Sequence, residues 1–129
     1  MLHNAFHSFE PFFKNCRKKA EAVTAVSFAP IPISCVENDD KHEFAILAIG
    51  LENGFIELWK VSTSNIPGKQ IEILQTFAPS DCHIAAVKTL AWRPFTGTKQ
   101  INRIDTSKVK LTLASCGLDH GVRIFDIFI

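Results

Sequence analysis

Leu111-Thr112-Leu113-Ala114-Ser115-Cys116-Gly117-Leu118-Asp119-His120-Gly121-Val122-Arg123-Ile124-Phe125-Asp126 is the stretch that organises the rest of the chain. Two short apolar runs, Leu111 to Ala114 and Val122 to Phe125, flank a turn-rich Gly117 to Gly121, which is the pattern of an antiparallel hairpin. The segment Leu47 to Lys60 aligns with Leu113 to Asp126 without a gap, at a spacing of 66 residues. A chain that repeats itself in this way is built from copies of one supersecondary unit.

Moving outward, Val23 to Phe28 followed by Ala29-Pro30 returns as Val87 to Trp92 followed by Arg93-Pro94, at a spacing of 64. Each is a strand ended by proline, which has no N–H for a ladder. In the first copy Ile31 to Glu43, with the acidic set Glu37, Asp39, Asp40 and Glu43, reads as a long exposed loop before a second strand at Phe44 to Ile49. The Glu52-Asn53-Gly54 turn tolerates positive φ and leads to a return strand, Phe55 to Val61. After a loop, Gln70 to Phe77 carries enough alternation for a fourth, outer strand. In the second copy the loop Phe95 to Lys108 absorbs the two residues by which the spacings differ, and the outer strand is missing after Ile127.

Composition bounds the function classes. The 129 residues are 47% hydrophobic, enough for a core, and the formal charge of +1 gives no global attraction to nucleic acid or anionic membrane. Cys16, Cys35, Cys82 and Cys116 form no C-x-x-C pair, and Met1 to Phe13 lacks a continuous apolar stretch, so the reading is a reducing compartment with no signal peptide and no membrane span. Residues 1–21, with Phe6, Phe9, Phe12 and Phe13 before the basic cluster Lys14, Arg17, Lys18 and Lys19, are expected to be a weakly ordered leader.

Three inner strands and one outer strand per repeat fit a WD40-type β-propeller blade, lengthened here by an expanded first loop. The fold class expected is all-β, two antiparallel blade units of an incomplete propeller: residues 22–80 as the first repeat with its outer strand and 81–129 as the second. His83, Ser115, Asp119 and Phe125 resemble the hydrogen-bonded structural tetrad of WD40 repeats, with Phe125 at the position of the indole donor. A nucleophilic triad of His83, Ser115 and Asp119 is the competing reading, disfavoured because Ser115 lies inside a strand instead of on an exposed elbow. At the equivalent positions of the first repeat stand Lys19, Ile49, Asn53 and Trp59, where most of the network is absent. Cys82-His83 has no second pair at metal-ligand spacing.

The segments Ala22 to Val26, Leu47 to Glu52, His83 to Trp92 and Ala114 to His120 resemble the C-terminal end of the Elongator complex subunit two family, over about residues 22–127. The resemblance implies a non-catalytic scaffold, without cofactor or metal. It would act through protein contacts with the other Elongator subunits, in an assembly that modifies wobble uridines of transfer RNA. It also implies that the remaining propeller blades belong to a longer chain, that any transfer RNA contact is indirect, through the complex, and that the protein works in the cytoplasm, with the nucleus as a second site. Lys99, Arg103 and Lys108, in a loop on a rigid scaffold, are the candidate partner contact. The alternatives are a WD40 adaptor of another complex and a direct RNA-binding module using Lys14 to Lys19 and the basic loop.

Overall fold

The computed structural model describes residues 21–37, 40–62, 71–95 and 109–129. The expected leader over residues 1–21 therefore lies, except for Glu21, outside the described residues. Among the described residues eight strands follow in order: β1 (Val23–Phe28), β2 (Ile33–Glu37), β3 (Asp40–Leu51), β4 (Ile56–Ser62), β5 (Ile71–Thr76), β6 (Val87–Trp92), β7 (Lys110–Gly117) and β8 (Val122–Phe128). A 3-10 turn, Pro79–Asp81, stands before β6. The strands form two antiparallel sheets: β1-β3-β4-β5 with β2 also on β3, here sheet A, and β6-β7-β8, here sheet B. This is the architecture of WD40 blade units.

The repeat is reproduced pair by pair in the ladders. Val26↔Ile49, Leu47↔Trp59 and Ala48↔Leu58 in sheet A recur as Leu90↔Ser115, Leu113↔Phe125 and Ala114↔Ile124 in sheet B. The register irregularity between Val23 and Ala25 recurs between Val87 and Thr89. Turn bonds recur too: Gly54 N–H donates to the Leu51 carbonyl, as His120 N–H does to Gly117. Since side chains alternate across a strand, an identical register puts equivalent positions on equivalent faces.

One expectation is corrected. Ile33–Glu37 is a strand, not part of a long loop, and β3 begins at Asp40 instead of Phe44, so the two make a hairpin paired from Ile33↔Phe44 to Glu37↔Asp40. Ile33 and Phe44 are both buried in the main core, and this apolar pair secures the base of the hairpin. Its dense acidic residues hide the alternation in the sequence.

The main core lies between the sheets. Ile46, Ala48, Ile56 and Leu58 of sheet A meet Val87, Leu90, Leu111, Leu113, Phe125 and Ile127 of sheet B. Each fully buried aliphatic side chain here contributes about 1.5–3 kcal/mol. A second cluster, Leu47, Ile49, Leu51, Trp59 and Ile71, occupies the opposite face of sheet A. Side-chain hydrogen bonds tie the sheets together: Thr24 Oγ1 donates to the Val87 carbonyl at 2.6 Å, and Trp92 Nε1 to the Ser27 carbonyl at 3.0 Å.

Candidate functional site

A network of polar side chains in the described residues centres on His83. The chain reaches it from the Pro79–Asp81 turn, and it continues into β6, so His83 sits where the link from sheet A to sheet B ends. Ser115 comes from the middle of β7 and Asp119 from the turn between β7 and β8. His83 Nδ1 lies 2.9 Å from Asp119 Oδ1, and His83 Nε2 lies 2.8 Å from Ser115 Oγ. An ionised carboxylate only accepts, so Nδ1 donates to Asp119; in the neutral ring Nε2 then accepts the Ser115 hydroxyl proton.

Asp119 is further held by the Gly121 N–H at 3.0 Å and the Ile84 N–H at 3.2 Å. The Gly121 N–H, together with the His83 ring and the Ile84 N–H, lowers its carboxyl from 3.8 to about 2 against the opposing effect of burial. Two glycines make room for this packing. A Cβ on Gly117 would come 2.8 Å from the His83 ring, and Gly54, at φ 92°, leaves no space for one between itself and the His83 and Ala85 carbonyls. Gly54 also accepts the His83 N–H at 3.1 Å, so the turn of sheet A grips the backbone that carries the histidine of sheet B.

The structure thus brings three of the four tetrad positions together. Phe125 does not join them: it packs in the main core with its ring centroid 4.6 Å from that of Phe77. The equivalents in sheet A are Ile49 and Trp59, both buried, while Asn53 Oδ1 accepts the Phe55 N–H within its own turn. Lys19 lies outside the described residues, as do the candidate partner residues Lys99, Arg103 and Lys108. Sequence reasoning missed Gly54, whose signal is only the turn it ends; its grip on the neighbouring sheet needs the fold.

The three polar side chains have the connectivity of an acyl-transfer triad, yet His83 and Ser115 are 1% and 2% exposed. A nucleophile must meet its substrate at roughly 3 Å, and a buried Oγ offers no approach. The groove of about 540 Å³ between the end of β5 and the edge of β8 is lined by Gln75, Phe77, Asp81, Arg123, Ile124 and Asp126 among others, and by none of the three. Burial pushes the Cys82 thiol above its ordinary value, while Cys116 is half-buried. Among the described residues no three metal-ligating side chains gather, and no helix is long and apolar enough to cross a membrane.

No protein-family model matches the chain. Curated relatives do. The chain is 32% identical over 128 residues to Elongator complex protein 2 of Dictyostelium discoideum, an alignment covering 98% of the chain and 12% of the relative. It is 34% identical over 111 residues to the protein of the same name from Danio rerio and 36% over 109 residues to that of Drosophila melanogaster, covering 83% and 84% of the chain and 13% and 11% of those relatives. With the repeated blade register beneath it, this similarity along most of its length places the chain in the Elongator complex protein 2 family, as a stretch spanning about one eighth of its relatives.

Proposed function

We propose that the chain is two consecutive blades, residues 22–80 and 81–129, from the C-terminal end of an Elongator complex protein 2 propeller, and that it is a non-catalytic scaffold. Its partners are the other Elongator subunits and the remaining blades. Through protein contacts it supports the modification of transfer RNA wobble uridines, in the cytoplasm and also in the nucleus. The burial of His83 and Ser115 supports a stapling role for the His83-Ser115-Asp119 network over a catalytic one.

One observation carries the reading. The outward face of sheet B exposes Val122 and Ile124, and the 66-residue repeat maps these onto Ile56 and Leu58, which in sheet A are buried against the next sheet. Sheet B therefore presents a blade-to-blade surface, and contiguous apolar area of that kind belongs against a partner. Among the described residues β8 also pairs only with β7, where its counterpart β4 pairs with β5 as well.

The test is capture of the endogenous protein followed by mass spectrometry of its partners and of the intact polypeptide. Co-purification of other Elongator subunits is the expected result. Recovery of the protein without any of them refutes the assignment.

A further inference from the structure

One face of sheet A packs on sheet B; the other carries the cluster Leu47, Ile49, Leu51, Trp59 and Ile71, to which sheet B contributes no residue. Ile49 and Trp59 are nevertheless each 1% exposed, and Trp59 Nε1 is itself shielded from solvent. An open sheet face behaves otherwise in this molecule. On the outward face of sheet B, Thr112 and Ala114 of the central strand are only half-buried, and Ile124 is 64% exposed. Some part of the chain therefore overlies the second face of sheet A. Its width follows from the repeat. Leu47 and Trp59 map onto Leu113 and Phe125, which pack against a whole sheet, and in that contact Val87 and Leu90 at the β6 margin are 0% and 7% exposed. Their counterparts Val23 and Val26 stay 44% and 61% exposed, as does Ile73, at 50%, beside Trp59 on the other margin. The cover runs along β3 and β4 and has the breadth of one segment, not of a blade or a second copy.

Reach decides which segment it is. Residues 63–70 leave β4 at Ser62, whereas Ile49 sits opposite Glu57, about 17 Å back along that strand. A loop of that length, going out and returning, reaches no more than about 14 Å. Residues 38–39 turn at Glu37↔Asp40, farther still from Ile49 and Leu51. Residues 96–108 follow the Trp92 end of β6, in the sheet that lies against the opposite face. Residues 1–20 arrive at the right end: they run through Glu21 into β1, whose Val23 is paired with Leu51. An extended segment crossing from Leu51 to the level of Val61 needs about six residues, and the leader has that length and more. It also holds the matching side chains, Phe6, Phe9, Phe12 and Phe13. Glu57, paired with Ile49, lies on the same face, and Lys14, Arg17, Lys18 and Lys19 bring the opposite charge.

We propose that the leader, residues 1–20, lies along β3 and β4 on the second face of sheet A, with its phenylalanines over Leu47, Ile49 and Trp59, and so caps the face on which the repeat would seat a neighbouring blade. This goes beyond the scaffold reading, which concerns the outward face of sheet B. The cap makes the chain one-sided. A further blade seats on sheet A only after the leader has left it, while the outward face of sheet B, with Val122 and Ile124, stays open.

A photo-crosslinking amino acid in place of Phe12 in the purified full chain, with one in place of Ile66 as control, tests this. The expected result is adducts within one molecule from position 12 to residues 47–59, and none from position 66 to Ile49 or Leu51. Adducts from position 12 only to sheet B or only between molecules overturn the cap, as do adducts from position 66 to Ile49 or Leu51. Fluorescence gives a second reading, because Trp92→Phe leaves Trp59 as the sole tryptophan. In that chain Phe9→Ser/Phe12→Ser/Phe13→Ser should raise acrylamide quenching of Trp59 severalfold, while Trp92 in a Trp59→Phe chain with the same three serines is quenched as before. Unchanged quenching of Trp59 overturns the proposal. If both tryptophans become exposed the chain has unfolded, and the crosslink from position 12 decides. Either result leaves the family assignment standing.

Discussion

Sheets A and B share one backbone plan and fill its centre with opposite chemistry. At the position of Ile49 in sheet A stands Ser115 in sheet B; Trp59 becomes Phe125, and Asn53 becomes Asp119. Sheet A fills these positions with Ile49 and the ring of Trp59 in an apolar cluster, whereas sheet B buries a histidine and a serine that must satisfy each other. The register survives this exchange because it is fixed by the main-chain ladder and by the alternating faces. A shared fold thus leaves the tetrad positions free to be apolar or polar, provided each set is internally complete.

The most damaging way to break the relation between the sheets is at their joint. Gly54→Ala places a Cβ against the His83 and Ala85 carbonyls at a φ that only glycine adopts freely, with backbone on both sides and nothing that can yield cheaply. A loss of about 3 kcal/mol or more is expected, read as a fall in the urea midpoint of the purified chain. Gly121→Ala, the turn position whose added Cβ would meet only the Asp119 side chain at 3.2 Å, should cost clearly less. Equal losses at the two glycines would sink the idea that Gly54 serves the contact between sheets.

Next in size is the network itself. His83→Ala strips the partner from buried Ser115 and from Asp119, and a loss of about 2–3 kcal/mol is expected in the same measurement. His83→Leu together with Ser115→Ile gives sheet B the apolar logic of sheet A, and should recover part of what His83→Ala loses. Recovery is the informative outcome, because it means the network is a matter of mutual satisfaction; a double variant as weak as His83→Ala would mean the histidine holds the loop in a way no apolar side chain can.

How much of this was legible in the sequence follows from the same comparison. The bounds of β6 and the 64- and 66-residue spacings could be read directly, since strand alternation, proline stops and repeat offsets are local or additive signals, whereas the grouping of His83, Ser115 and Asp119 rested on the resemblance to the WD40 tetrad. The Ile33–Glu37 hairpin could not, because Pro32 and the acidic residues that follow look like a loop until Ile33 and Phe44 are seen to share the core. The grip of Gly54 on His83 and the pairing of Phe125 with Phe77 depend on distances between sheets, which no one-dimensional pattern records.

Acid offers a gentler probe of the polar sheet. The Asp119 carboxyl is lowered to about 2 in the folded chain, chiefly by the Gly121 N–H and then by His83. A folded value below the unfolded one means that its contribution is fully present above about pH 4 and is lost as pH falls toward 2. Unfolding midpoints measured between pH 5 and pH 2.5 should therefore fall less steeply for Asp119→Asn than for the native chain. Parallel curves would show that acid acts elsewhere.

The smallest expected effect tests whether the fourth tetrad position in sheet B is idle. Phe125→Trp supplies an indole N–H beside β7 while keeping an aromatic ring in the place where Trp59 sits in sheet A. Two consequences oppose one another: a hydrogen bond from the new donor to the Ser115 hydroxyl oxygen would be a net gain of about 1 kcal/mol, while the larger ring must displace Phe77, whose ring centroid is now 4.6 Å away, at a cost of the same order. A change within about 1 kcal/mol is expected, and Phe77→Leu in the same background should turn it into a gain by relieving the crowding. If the double variant is no more stable than Phe77→Leu alone, Ser115 has no use for a second partner, and sheet B is complete with three residues where the related pattern employs four.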